Sequence, residues 1–377
     1  MKISVEKLAK NLDDDELYVD FARVGKHYFG FSLDNKKEIF FRRISKEHTQ
    51  EIDRGILSFR KEMRSVLRDE KKSSRKELTL LYDVLLKTLV EKFTKKKEKL
   101  IISTDGLLRM LPFEALYSSA KEQYLVQFRT LVYIPSAKEF LRLKSEKIAN
   151  MANNTIVVFA NPIFDSSVVE RLRGANNRMF EMKFSNLKGT AQEAQSIKRI
   201  MKKSRVCSYE GVDANEENFF KVKQPKILHI ATHGFFIKSE LSNPMLNAGI
   251  VLSGANSALK EGRGDGVITA LKLSGMDLKG TELVVLSACE TGLVKQNAPD
   301  SVSLLSKAFM QSGAKAVLAS LWSVSDMGTK ALMELFYQEI EQGVPYLEAL
   351  RKAKIEMIKE GKSPALWSAF ILNGEGG

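Results

Sequence analysis

The sequence predicts an α/β fold, a mostly parallel sheet with helices on both faces, built in the second half of the chain. Apolar strand-like runs occur at 156–160, 205–209, 227–232, 283–288, 316–321 and 369–372. Helical patterns fall between several of them, near 190–203, 301–312, 327–342 and 345–360. Strands that alternate with helices, and read as near-continuous apolar runs, belong to parallel sheets covered on both sides.

The first half has a different pattern. Between residues 14 and 45, Tyr18, Phe21, Tyr28, Phe29, Phe31, Ile39 and Phe40 alternate in a way that predicts short antiparallel strands. Two helices follow, over 46–72 and 75–94, the second carrying Leu78, Leu81, Leu85, Leu89 and Phe93 on one stripe. Leu100-Ile101-Ile102-Ser103-Thr104-Asp105-Gly106 predicts a strand that ends in a turn, and 111–116 and 131–136 continue an α/β pattern. The polar stretch 145–154 marks a boundary between a half at 1–150 and a half at 151–377. Residues 234–282 are more than a simple crossover needs. They contain Ala248-Gly249-Ile250-Val251-Leu252 and the glycine-rich 262–266, and predict a hairpin or mobile loop at the edge of a site.

Composition narrows the class. A chain of 377 residues with 44% hydrophobic content can fill a large core. No stretch approaches the ~18 apolar residues of a membrane span, and the start has no signal-peptide pattern. Two cysteines, Cys207 and Cys289, cannot build a disulfide framework, which fits a reducing compartment such as the cytoplasm. The net charge is +13, and residues 60–99 hold 14 Lys or Arg against 7 Asp or Glu. A basic segment can bind nucleic acid. Here Arg60, Lys61, Arg64 and Arg68 alternate with Ile56, Leu57, Met63 and Leu67 at helical spacing, with no interleaved aromatics to stack on bases. A solvated helical face, with nucleic acid at most a weak or indirect partner, is the reading this supports.

Two motifs carry chemistry. Leu283-Val284-Val285-Leu286-Ser287-Ala288-Cys289-Glu290-Thr291-Gly292 is an apolar run ending in a thiol, a carboxylate and a turn-forming glycine. Ile227-Leu228-His229-Ile230-Ala231-Thr232-His233-Gly234 is an apolar run ending in an imidazole and a glycine. In open α/β sheets, sites lie outside the carboxyl ends of strands, and neighbouring strands are ~4.8 Å apart. If the two runs are parallel neighbours, a thiol and an imidazole meet at one edge, the minimum for a cysteine nucleophile with a histidine partner. Cys207, inside an apolar run, reads as packing. His229, flanked by apolar residues, reads as a hydrogen-bonded core histidine. A metal shared by His229 and His233 is disfavoured, because that spacing serves a helix and the run reads as a strand. Gly262-Arg263-Gly264-Asp265-Gly266 is neither a P-loop nor a dinucleotide fingerprint. Trp322 and Trp367 read as core.

The ordered set of motifs resembles the CHAT family, relatives of caspases and separase among cysteine peptidases. Besides His233-Gly234 and Ser287-Ala288-Cys289-Glu290-Thr291-Gly292, the matching segments are Asn161-Pro162, Leu187-Lys188-Gly189-Thr190 with Glu193-Ala194, and Tyr209-Glu210-Gly211. Leu321-Trp322-Ser323-Val324-Ser325-Asp326, Ala349-Leu350-Arg351-Lys352-Ala353 and Leu366-Trp367-Ser368-Ala369-Phe370 follow in the family's order. The resemblance implies a caspase-like three-layer sandwich with a mostly parallel six-stranded sheet, preceded by a degenerate α/β N-terminal half. It implies a cysteine endopeptidase acting on protein substrates without metal or organic cofactor, controlled by a partner or sensor, with anti-phage defence among the family's settings. Cys289 is implied as the nucleophile and His233 as the group that moves the proton. The backbone N–H groups of Gly234 and Cys289 are implied as the oxyanion hole, with Glu290 and Asp326 as substrate-pocket candidates. The caspase Gln-Ala-Cys-x-Gly pattern is absent, so the resemblance brings no aspartate preference. Ser323 and Ser325 stand where relatives commonly carry proline and a first aspartate, which weakens the case for Asp326. The alternatives are a non-catalytic interaction module and a basic, nucleic-acid-associated effector.

Overall fold

The computed structural model describes residues 3–69, 75–93, 97–145, 153–165, 183–237, 243–287, 289–290, 301–322, 324 and 326–374. Its principal strands are β1 (Glu16–Val24), β2 (His27–Leu33), β3 (Ile39–Arg43), β4 (Lys99–Ser103), β5 (Thr130–Tyr133), β6 (Asn153–Pro162), β7 (Arg205–Gly211) and β8 (Pro225–Ala231). They continue with β9 (His233–Phe236), β10 (Ala248–Val251), β11 (Val267–Thr269), β12 (Leu283–Leu286), β13 (Cys289–Glu290), β14 (Ala316–Ser320) and β15 (Phe370–Gly374). The main helices are α1 (Lys46–Asp69), α2 (Lys188–Ile200), α3 (Ala255–Lys260), α4 (Ser301–Gln311), α5 (Asp326–Glu341) and α6 (Tyr346–Lys359). Contacts divide the chain into two compact units, Met1–Lys147 with Val344–Gly377, and Ile148–Gly343.

In the first unit β1, β2 and β3 form the antiparallel meander that the aromatic alternation predicts. β1 then runs parallel to β4, β4 to β5, and β15 to β5. One face of the meander is buried under helices. Tyr28 N–H donates to Thr49 Oγ1 of α1, and Ser32 Oγ donates to the Leu89 carbonyl. Leu78, Leu81, Leu85, Leu89 and Phe93 are all buried, as their stripe requires, although the helical stretch is π-helical over Tyr82–Lys87. The opposite face leaves Val24 63%, Ile39 48% and Phe41 60% exposed, with Phe41 stacked on Phe29 at 6.0 Å.

Several cations of the basic segment are used inside this unit. Arg60 donates to the Met110 carbonyl, Arg75 lies 4.7 Å over the Tyr117 ring, and Lys97 is buried against the Asp14 carbonyl and Asp34. The C-terminal segment is held by polar contacts. Arg351 donates to the carbonyls of Val126 and Gln127, and Lys354 donates to the buried Glu114. Trp367 is buried edge-on against Tyr124.

The second unit holds five parallel strands in the order β14-β12-β8-β6-β7. Every residue of β12 and β14 is buried. Both sets of alternating side chains are therefore covered, which is why these segments read as unbroken apolar runs. α2 packs on β6 and against α5, and α4 packs on β14. β7 is the outer strand of this order, and Cys207 on it is only half-buried. The apolar run around Cys207 predicted fuller burial; an edge strand has no neighbour on one side to supply it.

The 234–282 stretch is a hairpin system. β9 pairs antiparallel with β10, and β10 with β11, forming a small sheet in the order β11-β10-β9-β13. Gly249 sits at its tightest point. A Cβ there would lie 2.3 Å from the Ile268 carbonyl oxygen and 2.5 Å from the Phe235 ring. The backbone oxygen cannot step aside without breaking the β10–β11 pairing. Gly249→Ala is expected to destabilise the protein by about 1–3 kcal/mol, the usual cost of overpacking. Urea unfolding followed by fluorescence checks this; an unchanged midpoint would refute the close packing.

Candidate active site

The strands that carry the two motifs are parallel neighbours. Ile227, Leu228, His229 and Ile230 of β8 pair with Leu283, Val284, Val285 and Leu286 of β12. Past the ends of these strands the Ser287 N–H donates to the Ile230 carbonyl, and His233 of β9 then pairs with Cys289 of β13. The register offset is the same before and after the chain leaves the main sheet. Residues in register on parallel strands share a face of the sheet. The backbone of Cys289 and Glu290 is described; their side chains, that of Asp326, and residues Thr291, Gly292, Ser323 and Ser325 lie outside the described residues.

Thr232 marks the departure from the main sheet. It is buried, and its hydroxyl donates to the Val251 carbonyl of β10. Gly234 pairs with Ile250 on one side and Glu290 on the other. On the other flank, β6 ends in a turn. Asn161 has φ of 49°, a left-handed conformation that asparagine tolerates better than most residues. Its N–H donates to Thr190 Oγ1, and the Thr190 hydroxyl donates to the Leu187 carbonyl. The Asn161-Pro162 and Leu187–Thr190 motifs thus hold each other at the carboxyl end of β6.

The two histidines are treated in opposite ways. His229 is fully buried, shares a hydrogen bond of 2.9 Å with the Tyr337 hydroxyl through Nδ1, and has Nε2 3.1 Å from Glu193 Oε1. That second contact is close but not aligned as a hydrogen bond. Glu193 also accepts from Ser287 Oγ at 3.0 Å, tying α2 to the segment that leads into Cys289. The expectation of a hydrogen-bonded core histidine holds. His233 is 6% exposed, and its Nε2 lies 2.7 Å from the Ser185 carbonyl oxygen. A carbonyl can only accept, so Nε2 carries the proton and the lone pair of the neutral ring is on Nδ1. Nδ1 is buried and has no hydrogen-bond partner among the described residues. The rings of Phe164 and Phe184 flank the imidazole at 5.3 and 5.8 Å. Burial holds the His233 pKa below the ordinary 6.5, against a smaller opposing pull from the Ser185 carbonyl.

Phe164, Phe184 and Ser185 were not legible as parts of the site. The two aromatics have no spacing relation to His233, and Ser185 acts through a carbonyl that any residue would bring.

A model of the CHAT domain matches residues 75–375. The chain belongs to the CHAT domain family. Among curated proteins this CHAT domain is similar to Tetratricopeptide repeat protein 28 of Homo sapiens, 24% identical over 314 residues. The protein of the same name in Mus musculus is 22% identical over 313 residues. Each match covers 74% of this chain and 12% of the relative, so the chain spans about an eighth of the length of the curated relatives it matches. Among solved structures, the Saccharomyces cerevisiae separase–securin complex at 3.0 Å matches with a TM-score of 0.54 and 11% identity, over 98% of this chain and 30% of the other. A second structure of that complex, at 2.6 Å, gives a TM-score of 0.52 at 10% identity, over 98% of this chain and 31% of the other. The likeness is one of fold, the caspase-like arrangement of a mostly parallel sheet flanked by helices. No helix among the described residues is long and apolar enough to cross a membrane.

The depressed His233 pKa has a thermodynamic consequence. Near pH 6.5 the folded ring binds fewer protons than the unfolded one, so His233 contributes stability above that pH which is lost as pH falls through it. Between about pH 7.5 and 5.5, unfolding free energy should fall more steeply for the wild type than for His233→Phe, measured by urea unfolding at each pH. Parallel curves would show that the ring is not desolvated.

Proposed function

We propose that this CHAT domain is a cysteine endopeptidase in which Cys289 is the nucleophile and His233 moves the proton. One observation carries the reading: the register that pairs His233 with Cys289 on adjacent parallel strands. The state of His233 supports it, since a buried ring with Nε2 engaged and Nδ1 unpartnered among the described residues is a base held ready. A free thiol near pKa ~8.5 is mostly protonated at neutral pH, so a neighbouring base is what raises its nucleophilicity.

In this scheme Nδ1 of His233 takes the thiol proton and the sulfur attacks the peptide carbonyl carbon. The carbon–nitrogen bond then breaks, the imidazolium returns the proton to the departing amine, and a thioester remains. Water, deprotonated by the same nitrogen, hydrolyses the thioester and restores the thiol. The backbone N–H groups of Gly234 and Cys289 are the donors we assign to the oxyanion, each of a kind worth ~2.7–4 kcal/mol in the transition state. Glu290 and Asp326 are assigned to the substrate pocket. The substrate is a protein, and a regulatory protein or domain controls access. The separase of similar fold was crystallised with a protein partner, securin, which supports that last assignment. No metal or organic cofactor is assigned a step.

A second reading, an interaction module without catalysis, is favoured by the apolar face that Val24, Ile39 and Phe41 present on β1 and β3. The two separate by thiol labelling of the full chain. Cys289 should react with iodoacetamide at least ~10-fold faster than Cys207, with a rate that falls in His233→Ala. Cleavage of protein substrates should vanish in Cys289→Ala. Cleavage that survives Cys289→Ala would overturn the peptidase assignment, and equal, slow labelling of both cysteines would favour the module.

A further inference from the structure

Asn256 lies on α3, 2% exposed, and its side-chain amide engages one residue through both its oxygen and its nitrogen. Its Oδ1 accepts from the Phe184 N–H at 2.9 Å and its Nδ2 donates to the Phe184 carbonyl at 2.8 Å. Its own N–H donates to the Phe164 carbonyl at 3.0 Å. Asn256 therefore grips the backbone of both aromatic residues whose rings flank His233. The residue after Phe184 is Ser185, whose carbonyl accepts from His233 Nε2.

The chemistry of the grip is specific. Phe184 offers one donor and one acceptor, and a primary amide answers both at once because it carries its own acceptor and donor on separate atoms of one planar group. A rotated amide would set NH₂ against N–H and oxygen against oxygen, so one orientation is selected. Two further bonds brace the same corner from the neighbouring positions. Gly254 N–H donates to the Ile163 carbonyl, and Ile163 N–H donates to Ser253 Oγ. The turn that begins α3 is thus built against the two segments that line the imidazole.

We propose that Asn256 is a positioning residue for His233: by fixing the backbone of Phe184 and Phe164 it fixes the Ser185 carbonyl, and through it the tautomer that leaves Nδ1 as the base. This rests on the peptidase reading for its catalytic consequence, though not for the tautomer itself. Asn256 has no role in the reacting atoms. It acts at one remove, as the orienting partners of functional histidines commonly do.

The test uses the full chain in a Cys207→Ser background and reads two quantities. The first is the His233 tautomer, from ring ¹⁵N shifts above the pH at which the ring titrates. The second is the rate of Cys289 alkylation by iodoacetamide. Asn256→Asp keeps the shape and loses the donor to the Phe184 carbonyl; Asn256→Ser replaces the separate donor and acceptor atoms by one shorter hydroxyl and serves if the aspartate variant does not fold. Asn256→Gln keeps the amide. The wild type should show the Nε2–H form. In Asn256→Asp or Asn256→Ser the Nδ1–H form should appear, alkylation should slow by up to ~100-fold, and Asn256→Gln should recover part of both. Unfolding midpoints would be compared so that a global loss of structure is not read as a local one. An Nε2–H form unchanged in folded Asn256→Asp and Asn256→Ser would overturn the clamp. A tautomer that shifts as expected while Cys289 is already unreactive in the parent would sustain the clamp and count against the peptidase reading instead.

Discussion

The site depends on one parallel register. β8 and β12 are parallel neighbours, β12 buried throughout and β8 at all but one position, and a one-residue slip between them would exchange the side chains that each face is packed around. That constraint is paid in the core and collected at the edge, because the same offset continues through Thr232 and Ser287 to set His233 beside Cys289. The backbone alignment of His233 and Cys289 needs no dedicated device. It is inherited from the pairing of two apolar strands.

What the register cannot do is orient an imidazole. A ring at a strand end can turn, present either nitrogen, or fill with water. Here a carbonyl, two aromatic walls and a buried asparagine restrict it. Burial beside them pushes the ring toward neutrality, the form in which an imidazole has a lone pair free to accept a proton. The carbonyl opposes that shift slightly while deciding which nitrogen stays basic. The two effects differ in sign on charge and agree on geometry.

The sequence made the scaffold and the pair of motifs legible for a physical reason. Strands buried on both faces must be apolar throughout, so 227–232 and 283–288 stand out, and a polar residue at their carboxyl ends stands out against them. The antiparallel meander showed through aromatic alternation, and the buried leucine stripe through helical spacing. The environment of His233 left no such mark. Ser185 contributes a backbone oxygen, Asn256 hydrogen-bonds to backbone, and Phe164 and Phe184 approach from residues far from His233 in the chain. Contacts made through main-chain atoms have no residue preference to read. The half-exposure of Cys207 is a case of the same kind, since edge position is set by strand order and not by the residues of the strand.

His229 and His233 show how one short segment assigns two fates to one residue type. Four positions apart on a nearly continuous strand, they meet opposite surroundings. His229 has a polar neighbour at each nitrogen, Tyr337 and Glu193, and Glu193 in turn holds Ser287. Nδ1 of His229 is hydrogen-bonded to the Tyr337 hydroxyl, while Nε2 sits close to Glu193 without hydrogen-bond alignment. His233 Nδ1 likewise has no hydrogen-bond partner among the described residues, but its ring lies among aromatic side chains. In register, His233 stands beside Cys289 on one side and Val251 of β10 on the other. What separates the two histidines is therefore their surroundings: polar side chains around His229, and aromatic rings with a main-chain carbonyl around His233.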